Sequence, residues 1–208
     1  MRRMSLERKA AISLRKIWQA HDERNEAEGW LAASELYKIL GINPEEASYA
    51  GFLTIQAFFL ADEAERYQSK NSEMENLFYN KAKELLIQAR RVCNLETESP
   101  TYTVQWWKAY RHKDKEGILN GLIEEHKAQF SHLSVDERKR YAKLCAQKII
   151  AAASKGHDVK DWSITDRMLE EYFQVYFEAL KGVQKRGLKQ NFSYSNRSSL
   201  TSLERTIL

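Results

Sequence analysis

The chain has 208 residues, of which 43% are hydrophobic and 30% are charged, and its formal net charge is +4. This length and balance suit one globular domain with a single substantial core. The longest apolar run, 57–61, is far shorter than the ~20 residues that a membrane span needs, and no apolar stretch follows Arg2 and Arg3 as in a secretory signal.

The spacing of the apolar residues indicates helices throughout. Apolar residues recur every three or four positions from Leu6 to Leu180, and the chain contains only two prolines and eight glycines. We therefore predict an all-α fold, a compact bundle of seven or eight helices in a single domain over residues 1–182. A subdomain break is possible near 94–100, and a flexible, basic, Ser/Asn-rich tail is expected over 183–208.

Capping residues mark the helix starts and ends in the first half. Ser5 is a suitable N-cap for the first helix, Gly29 is expected to end or bend the polar stretch that follows, and Gly41 is expected to end the second helix. Residues 43–46, Asn-Pro-Glu-Glu, form the best helix start in the chain. Because the helix that they open is apolar nearly all round over 49–61, we predict that neighbours bury it on several sides.

Similar signals mark the helices of the second half. The segments 72–75 and 134–137 both have the pattern of a capping box, with Ser first and Glu last. The other helices are expected from Ser99, from about Lys115 to Phe130, and from Ser163 or Thr165 to Gly182.

No motif in the sequence indicates a metal or cofactor site. None of the five histidines has a Glu three residues before it, as a helical di-iron site requires, and the pattern His-Glu-x-x-His is absent. Phosphate-binding loops and serine-nucleophile motifs are missing as well. Cys93 and Cys145 occupy apolar helical positions without disulfide or zinc spacing. We therefore expect no metal, no cofactor, and free buried thiols in a reducing, cytoplasmic setting.

Arg15 and His21 form an Arg-x5-His pair in the first predicted helix. This spacing resembles the Arg-x4–6-His signature of the HEPN ribonucleases, a helical family in which the two side chains act on an RNA phosphate across a dimer interface. In that family a polar residue commonly follows the arginine, and here Lys16 follows it. The resemblance covers residues 15–21 and implies a metal-independent ribonuclease with Arg15 and His21 as its catalytic pair. The alternative interpretation places Arg15 on a solvated face and His21 at the boundary of the core.

The segment 102–113 has the densest mixture of aromatic and basic residues. Adjacent tryptophans on a helix point about 100° apart, so one can enter the core while the other lies at the boundary and stacks with Arg111. Such a mixture suits a protein interface or single-stranded nucleic acid, and it also suits simple anchors between two packed helices. The candidate binding residues are Trp106, Trp107, Tyr110, Arg111, His112 and Lys113.

Positive charge is concentrated at the two ends of the chain. Residues 1–16 and 179–208 each contain six basic residues and one acidic residue, whereas residues 17–98 contain eight basic and 15 acidic residues. Basic ends of this kind suit nucleic acid, and the tail also suits a flexible second contact with a protein partner. The candidate contact residues in the tail are Lys185, Arg186, Lys189 and Arg197.

Three functions remain open from the sequence. The first is a non-enzymatic adaptor that binds a protein partner through the aromatic–basic surface and the tail. The second is a small helical subunit that binds the RNA or DNA backbone through its basic ends and residues 106–115. The third is the HEPN-like ribonuclease. We predict the first, and the sequence favours no particular oligomeric state.

Overall fold

The computed structural model describes residues 4–68 and 70–191, and these residues confirm the predicted all-α fold. They form eight α-helices and one π-helical turn of five residues, and no β-strand occurs in these two ranges. The helices are α1 (Leu6–Asp22), α2 (Glu26–Ile39), α3 (Pro44–Glu65), α4 (Ser72–Val92), α5 (Ser99–Arg111), α6 (Lys115–Gln129), α7 (Val135–Ala153) and α8 (Trp162–Asn191). The π-helical turn, Ser154–Asp158, lies between α7 and α8.

Side-chain caps begin several helices where the sequence predicts them. The side chains of Ser5 and Asn43 each accept a hydrogen bond from the backbone N–H three residues further on. Ser134 and Glu137 form the predicted capping box at the start of α7. Each cap satisfies a backbone donor that the first turn of a helix leaves open, which explains why these starts can be found from local sequence.

The start of α4 differs from the prediction. The N-cap is Asn71, whose side-chain oxygen accepts hydrogen bonds from the backbone N–H groups of Glu73 and Met74. Ser72 is therefore the first helical residue, and the capping box predicted for 72–75 is wrong. An Asn amide caps a helix at least as well as a Ser hydroxyl. Because Asn71 provides the cap, the Glu75 side chain has no capping role and is buried in the protein interior.

Two of the three glycines that were expected at helix ends, Gly29 and Gly182, lie inside helices instead. Gly41 agrees with the prediction, because it follows the end of α2 with a φ of 91° that other residues rarely adopt. Gly29, however, lies within α2, where an added β-carbon would approach Ile55 of α3 to 3.1 Å. Glycine at this position allows close packing of the two helices. Gly182 lies within α8, which continues to Asn191, so the predicted end of the last helix is also wrong.

Consecutive helices pack side by side, and α1 closes the series by packing on α8. The eight helices of the described residues therefore form a ring. α1 and α8 run antiparallel, because Ser5 lies beside Glu170 at one end of the pair and Asp22 lies beside Lys160 at the other end.

The inner faces of the ring form the core. The largest apolar cluster draws mainly on α1, α2, α7 and α8 and includes the fully buried Phe130 and Leu169. A second cluster joins α3, α4 and α5 around Tyr79 and Trp107. The subdomain break predicted near 94–100 falls on the connection between α4 and α5 and on the first turn of α5, and both of these helices contribute to the second cluster.

Cys93 and Cys145 are free and buried. In the two described ranges, no helix combines the length and the apolar character that crossing a membrane requires. The predicted tail begins inside α8, on whose last turns lie Lys185, Arg186 and Lys189. The rest of the tail, including Arg197, lies outside the described residues.

Candidate functional site

The two tryptophans predicted at the binding surface both pack between helices. Trp107 is 3% exposed, and its ring lies on the ring of Phe58 from α3 with 4.5 Å between the centroids. Trp106 is half-buried, and its Nε1–H donates a hydrogen bond of 2.5 Å to the carboxylate of Glu125 on α6. The geometry therefore fits the interpretation of these residues as anchors between packed helices.

The polar residues that follow the tryptophans divide between interior and surface. The Arg111 side chain is 8% exposed and forms an ion pair of 2.5 Å with Asp62 of α3, rather than stacking on a tryptophan. His112 Nε2 lies 3.0 Å from a carboxylate oxygen of Glu75 on α4. Among the six candidate residues, the exposed ones are Tyr110, His112 and Lys113, at and just beyond the end of α5.

Arg15 and His21 do not meet at a common site. A separation of six residues turns the side-chain direction by about 120° around a helix. Arg15 Nε lies 2.6 Å from Asp166 of α8, whereas His21 Nε2 lies 2.9 Å from Asp62 of α3. Each of the two candidate side chains is therefore held by a carboxylate on a different neighbouring helix.

The structure instead brings His21 together with Arg111, at the carboxylate of Asp62. The three side chains come from α1, α5 and α3. Burial alone would raise the pKa of Asp62, but the hydrogen bonds and charges of His21 and Arg111 outweigh this effect and lower the pKa below its usual value. Asp62 is therefore a charged group that connects three helices.

A second carboxylate extends this cluster to the π-helical turn. Asp22 lies 3.1 Å from His157 Nδ1 and accepts a hydrogen bond from Lys160. Burial would raise the pKa of Asp22, but Lys160 and His157 lower it. Burial lowers the pKa of His157, although Asp22 opposes this shift. We call the six residues the end cluster: His21, Asp22, Asp62, Arg111, His157 and Lys160.

The end cluster satisfies its own charges. His21 places Nε2 against Asp62 and Nδ1 at 3.8 Å from Asp22, so both of its ring nitrogens face carboxylates. A general base needs a lone pair directed at a substrate, and an anion site needs cations without carboxylate partners. The arrangement favours a structural role, fastening the ends of α1, α3 and α5. Across 4–68 and 70–191, no group of three His, Cys, Asp or Glu side chains is placed to hold a metal ion.

A shallow surface depression of about 630 Å³, open to solvent, lies on the outer side of α2 and α3. Its three aromatic rings, Trp30, Tyr49 and Phe52, are 40%, 52% and 42% exposed. Trp30 meets Phe52 edge to face with 6.2 Å between the ring centroids, and its Nε1–H donates to the carbonyl of Ser48 at 2.8 Å. We call this surface the aromatic groove, and its lining residues are Trp30, Pro44, Glu45, Ser48, Tyr49 and Phe52.

Close packing of α2 on α3 explains why these rings lie outside. A β-carbon added to Gly51 would lie 2.7 Å from the backbone nitrogen of Ser34, so the two helices almost touch at this point. The small residues Gly29, Ser34 and Gly51 lie at this contact between the two helices. Since no aromatic ring fits between backbones at this distance, the large side chains of both helices are placed beside the contact.

As predicted, neighbours bury α3 on several sides: it packs on α2, α4 and α5, and its inward residues Leu53 and Ile55 are buried. Near the start of the helix, however, Tyr49 and Phe52 face solvent. A helix that is apolar all round has no polar side to show which face lacks a neighbour. The exposed aromatic face is the feature that sequence reasoning missed.

Acidic groups border the aromatic groove. Glu45 lines it at the start of α3, and Glu26, at the start of α2, accepts a hydrogen bond of 3.3 Å from Gln56 of α3. The lining residues include one carboxylate and no cation. Three rings beside negative charge therefore distinguish this surface from the end cluster, whose charges are paired internally. No protein-family model, curated protein or solved structure matches this chain.

Proposed function

We propose that this protein is a non-enzymatic interaction protein that binds a protein partner through the aromatic groove. The observation that carries the proposal is the side-by-side exposure of Trp30, Tyr49 and Phe52. Contact between large apolar rings and water is unfavourable, and such rings supply much of the binding energy when a partner covers them. The hydrogen bond from Trp30 to Ser48 holds one ring in place before binding, which reduces the entropy lost on association.

The shape and charge of the groove favour a helical partner segment. In helix-in-groove recognition, apolar residues spaced by three and four positions insert into a hydrophobic depression. Such residues would cover Trp30 and Phe52, and basic residues beside them would face Glu26 and Glu45. The proposed partner therefore presents an apolar helical stripe with basic flanks.

This proposal keeps the adaptor function predicted from the sequence but places the main contact on a different surface. Of the predicted aromatic–basic surface, Trp107 and the Arg111 side chain are nearly buried, whereas Tyr110, His112 and Lys113 remain exposed. We propose a cytoplasmic location as well, because the free, buried thiols of Cys93 and Cys145 are typical of proteins in a reducing compartment.

The two alternatives have less support. Binding of RNA or DNA through the basic ends and residues 106–115 stays a prediction that no described contact favours. A HEPN-like activity needs both side chains of its pair at one phosphate. Arg15 is held by Asp166 and His21 by Asp62, which directs the pair toward different helices.

The proposal is tested by capture of a partner with the tagged full chain from an extract of the native host. The informative variant is Phe52→Asp, which puts a charge among the exposed rings without opening a buried cavity. The matched control is Tyr110→Asp, because Tyr110 is similarly exposed but lies on α5. We expect the wild type and the control to retain the same protein, and Phe52→Asp to retain at least about tenfold less.

Three other results would contradict the proposal. One is a partner that is retained equally by Phe52→Asp, and another is a partner that is lost with Tyr110→Asp. The third is capture that disappears after nuclease treatment or falls steeply between low and physiological salt, which would favour the nucleic-acid alternative.

A further inference from the structure

The three rings of the aromatic groove have no cation from the described part of the chain over them. Within 4–68 and 70–191, the cations that lie over a ring do so at other aromatic residues: Phe78, Tyr79, Tyr141 and Trp162. The lining of the groove likewise contains no Lys, Arg or His. The π faces of Trp30, Tyr49 and Phe52 are therefore available to a cation that another molecule brings.

The three rings are arranged as walls around one depression. Trp30 and Phe52 meet nearly at right angles, with 77° between the ring planes and 6.2 Å between the centroids. Tyr49 lies three residues before Phe52 and therefore on the same face of α3. The hydrogen bond from Trp30 Nε1–H to the carbonyl of Ser48 fixes the largest ring. A compact group in the depression can therefore contact π faces of more than one orientation.

The electrostatics of the groove favour a positive ligand. The face of an aromatic ring carries negative potential and attracts a cation within ~6 Å of its centroid, most strongly when the ring is Trp. Glu45 lies one helical turn before Tyr49, and it is the one charged residue of the lining. Among the described residues Glu45 has no ion-pair partner. An anion would therefore meet only negative potential in the groove.

A methylated ammonium group suits this surface better than an unmodified lysine does. The ammonium of Lys is strongly hydrated, and it must lose water in order to lie against a ring. Methylation keeps the positive charge, removes hydrogen-bond donors and covers the nitrogen with apolar groups. One such side chain therefore supplies both properties expected of the partner, which are apolar contact with the rings and positive charge toward the acidic border.

We propose that the aromatic groove recognises a methylated lysine on the protein partner. The inference rests on the proposed function of the groove as a docking surface, and it names the side chain that occupies it. The methylated nitrogen lies between Trp30 and Phe52, with Tyr49 as the third ring and Glu45 facing its charge. Methylation of that lysine then controls how tightly the partner binds.

The binding of three small probes to the full chain tests this proposal. The probes are the N-acetyl amides of trimethyl-lysine, of unmodified lysine, and of a neutral analogue in which carbon replaces the trimethylated nitrogen. Each titration follows the NMR signal of the Trp30 indole N–H, which is assigned by its loss in Trp30→Phe. We expect trimethyl-lysine to bind at least about fivefold more tightly than either other probe, because it alone combines the charge with the methyl groups.

Two variants separate the effects of the π faces and of the charge from that of shape. Tyr49→Leu removes one ring but keeps an apolar side chain, and Glu45→Gln removes the charge of the lining. Both residues are exposed, so neither change opens a buried cavity. Each should weaken the binding of trimethyl-lysine severalfold and leave that of the neutral analogue nearly unchanged. The matched controls Tyr110→Leu and Glu84→Gln lie away from the groove and should leave the binding of all three probes unchanged.

The inference is overturned if the groove does not distinguish the probes. Equal binding of trimethyl-lysine and the neutral analogue would make the groove a purely apolar surface, and equal binding of trimethyl-lysine and unmodified lysine would remove the role of methylation. Absence of binding of all three probes overturns the inference as well. So does a captured partner in which mass spectrometry finds no methylated lysine.

These failures differ from failure of the proposed function. If any of them occurs while Phe52→Asp still abolishes partner capture, the proposed function stands and only the inference about methylated lysine fails. Selective binding of the trimethyl-lysine probe, without any capture that depends on Phe52, contradicts the proposed function instead.

Discussion

Trp106 of α5 donates a hydrogen bond of 2.5 Å to the carboxylate of Glu125 on α6. Burial raises the pKa of Glu125 to about 7, although hydrogen bonds from Trp106 and Thr103 favour its charged form. In the unfolded chain the pKa is near 4.5. The folded protein therefore binds a proton at this site more tightly than the unfolded chain does.

From this difference we predict that Glu125 makes the protein less stable as the pH rises. The stabilisation that comes from the proton on Glu125 is fully present below pH ~4.5 and is lost as the pH rises through ~7. The free energy of unfolding falls by roughly 2–3 kcal/mol over this range. Glu125→Gln does not titrate, so its stability relative to the wild type should increase by that amount between pH 4.5 and 8 in urea denaturation. Glu124→Gln, at a more exposed neighbouring carboxylate, should follow the wild type. A constant difference between Glu125→Gln and the wild type would show that the pKa of Glu125 is the same in the folded and the unfolded chain.

The adjacent His126 should have the opposite pH dependence. Its Nδ1 donates to the carbonyl of Leu122, and its Nε2 accepts from the hydroxyl of Tyr172, so the ring is neutral. Burial lowers the pKa of His126 to about 4, below the value of 6.5 in an unfolded chain. Its contribution to stability is therefore complete above pH ~6.5 and is lost as the pH falls through ~4. In NMR spectra the His126 ring signals should stay constant from pH 8 to 5, and a midpoint near 6.5 would contradict the burial.

Removal of the Asp62 carboxylate should be costly. Asp62→Ala leaves the nearly buried Arg111 side chain without its closest partner, and breaking a buried ion pair in this way costs about 3 kcal/mol. Glu63→Ala, which removes an exposed pair with Arg66, should cost less than ~1 kcal/mol. Thermal or urea denaturation of both variants measures the contrast. Equal losses would mean that the end cluster does not fasten the helices.

Gly51 should tolerate no side chain. In Gly51→Ala the new methyl group meets the backbone of Ser34 at 2.7 Å, so α2 and α3 must separate, at a cost of about 1–3 kcal/mol. At Gly41 an alanine meets no atom within 4 Å and suffers only from the positive φ, so Gly41→Ala should cost no more than ~1–2 kcal/mol. Gly51→Ala should also shift the NMR signal of the Trp30 indole N–H, whereas Gly41→Ala should leave it unchanged.

The acidic border should affect the rate of partner binding. We expect Glu45→Lys to slow association severalfold at low salt, because it reverses the charge that faces the basic flanks of the partner. Glu84→Lys makes the same change on α4, away from the groove, and should have little effect. Surface plasmon resonance with the captured partner at two salt concentrations measures both rates. Faster association of Glu45→Lys would indicate an acidic partner.

The helices could be predicted because their signals are local. Caps such as Ser5, Asn43 and Ser134 act within one turn and need no tertiary partner. The glycine predictions failed where tertiary packing decides the role of the residue. Gly29 lies inside α2 because its small size allows α3 to pack closely against it, and the local sequence does not show this requirement. Gly182 shows the same limit, because a glycine inside a long packed helix costs only about 1 kcal/mol.

The surfaces could not be predicted because they depend on distant parts of the chain. Asp62 is 41 residues from His21 and 49 from Arg111 in sequence. One local signal was available: Asp62 follows Phe58 by one turn, and a carboxylate in an apolar helix needs a partner. For Trp30 and Phe52 the sequence carries no comparable signal, because the local sequence pattern around an aromatic residue is the same whether or not a neighbouring helix covers its ring.

The contact of α1 with α8 closes the ring of helices, and this closure limits which helices the protein can gain or lose. An open solenoid grows or shrinks by whole repeats, since its terminal units each touch one neighbour. Here every helix in the described part has a neighbour on both sides, so deleting the first or last one strips apolar surface from two others at once. We therefore expect the protein to unfold in a single all-or-none step. We also expect it to lose its fold when either α1 or α8 is deleted.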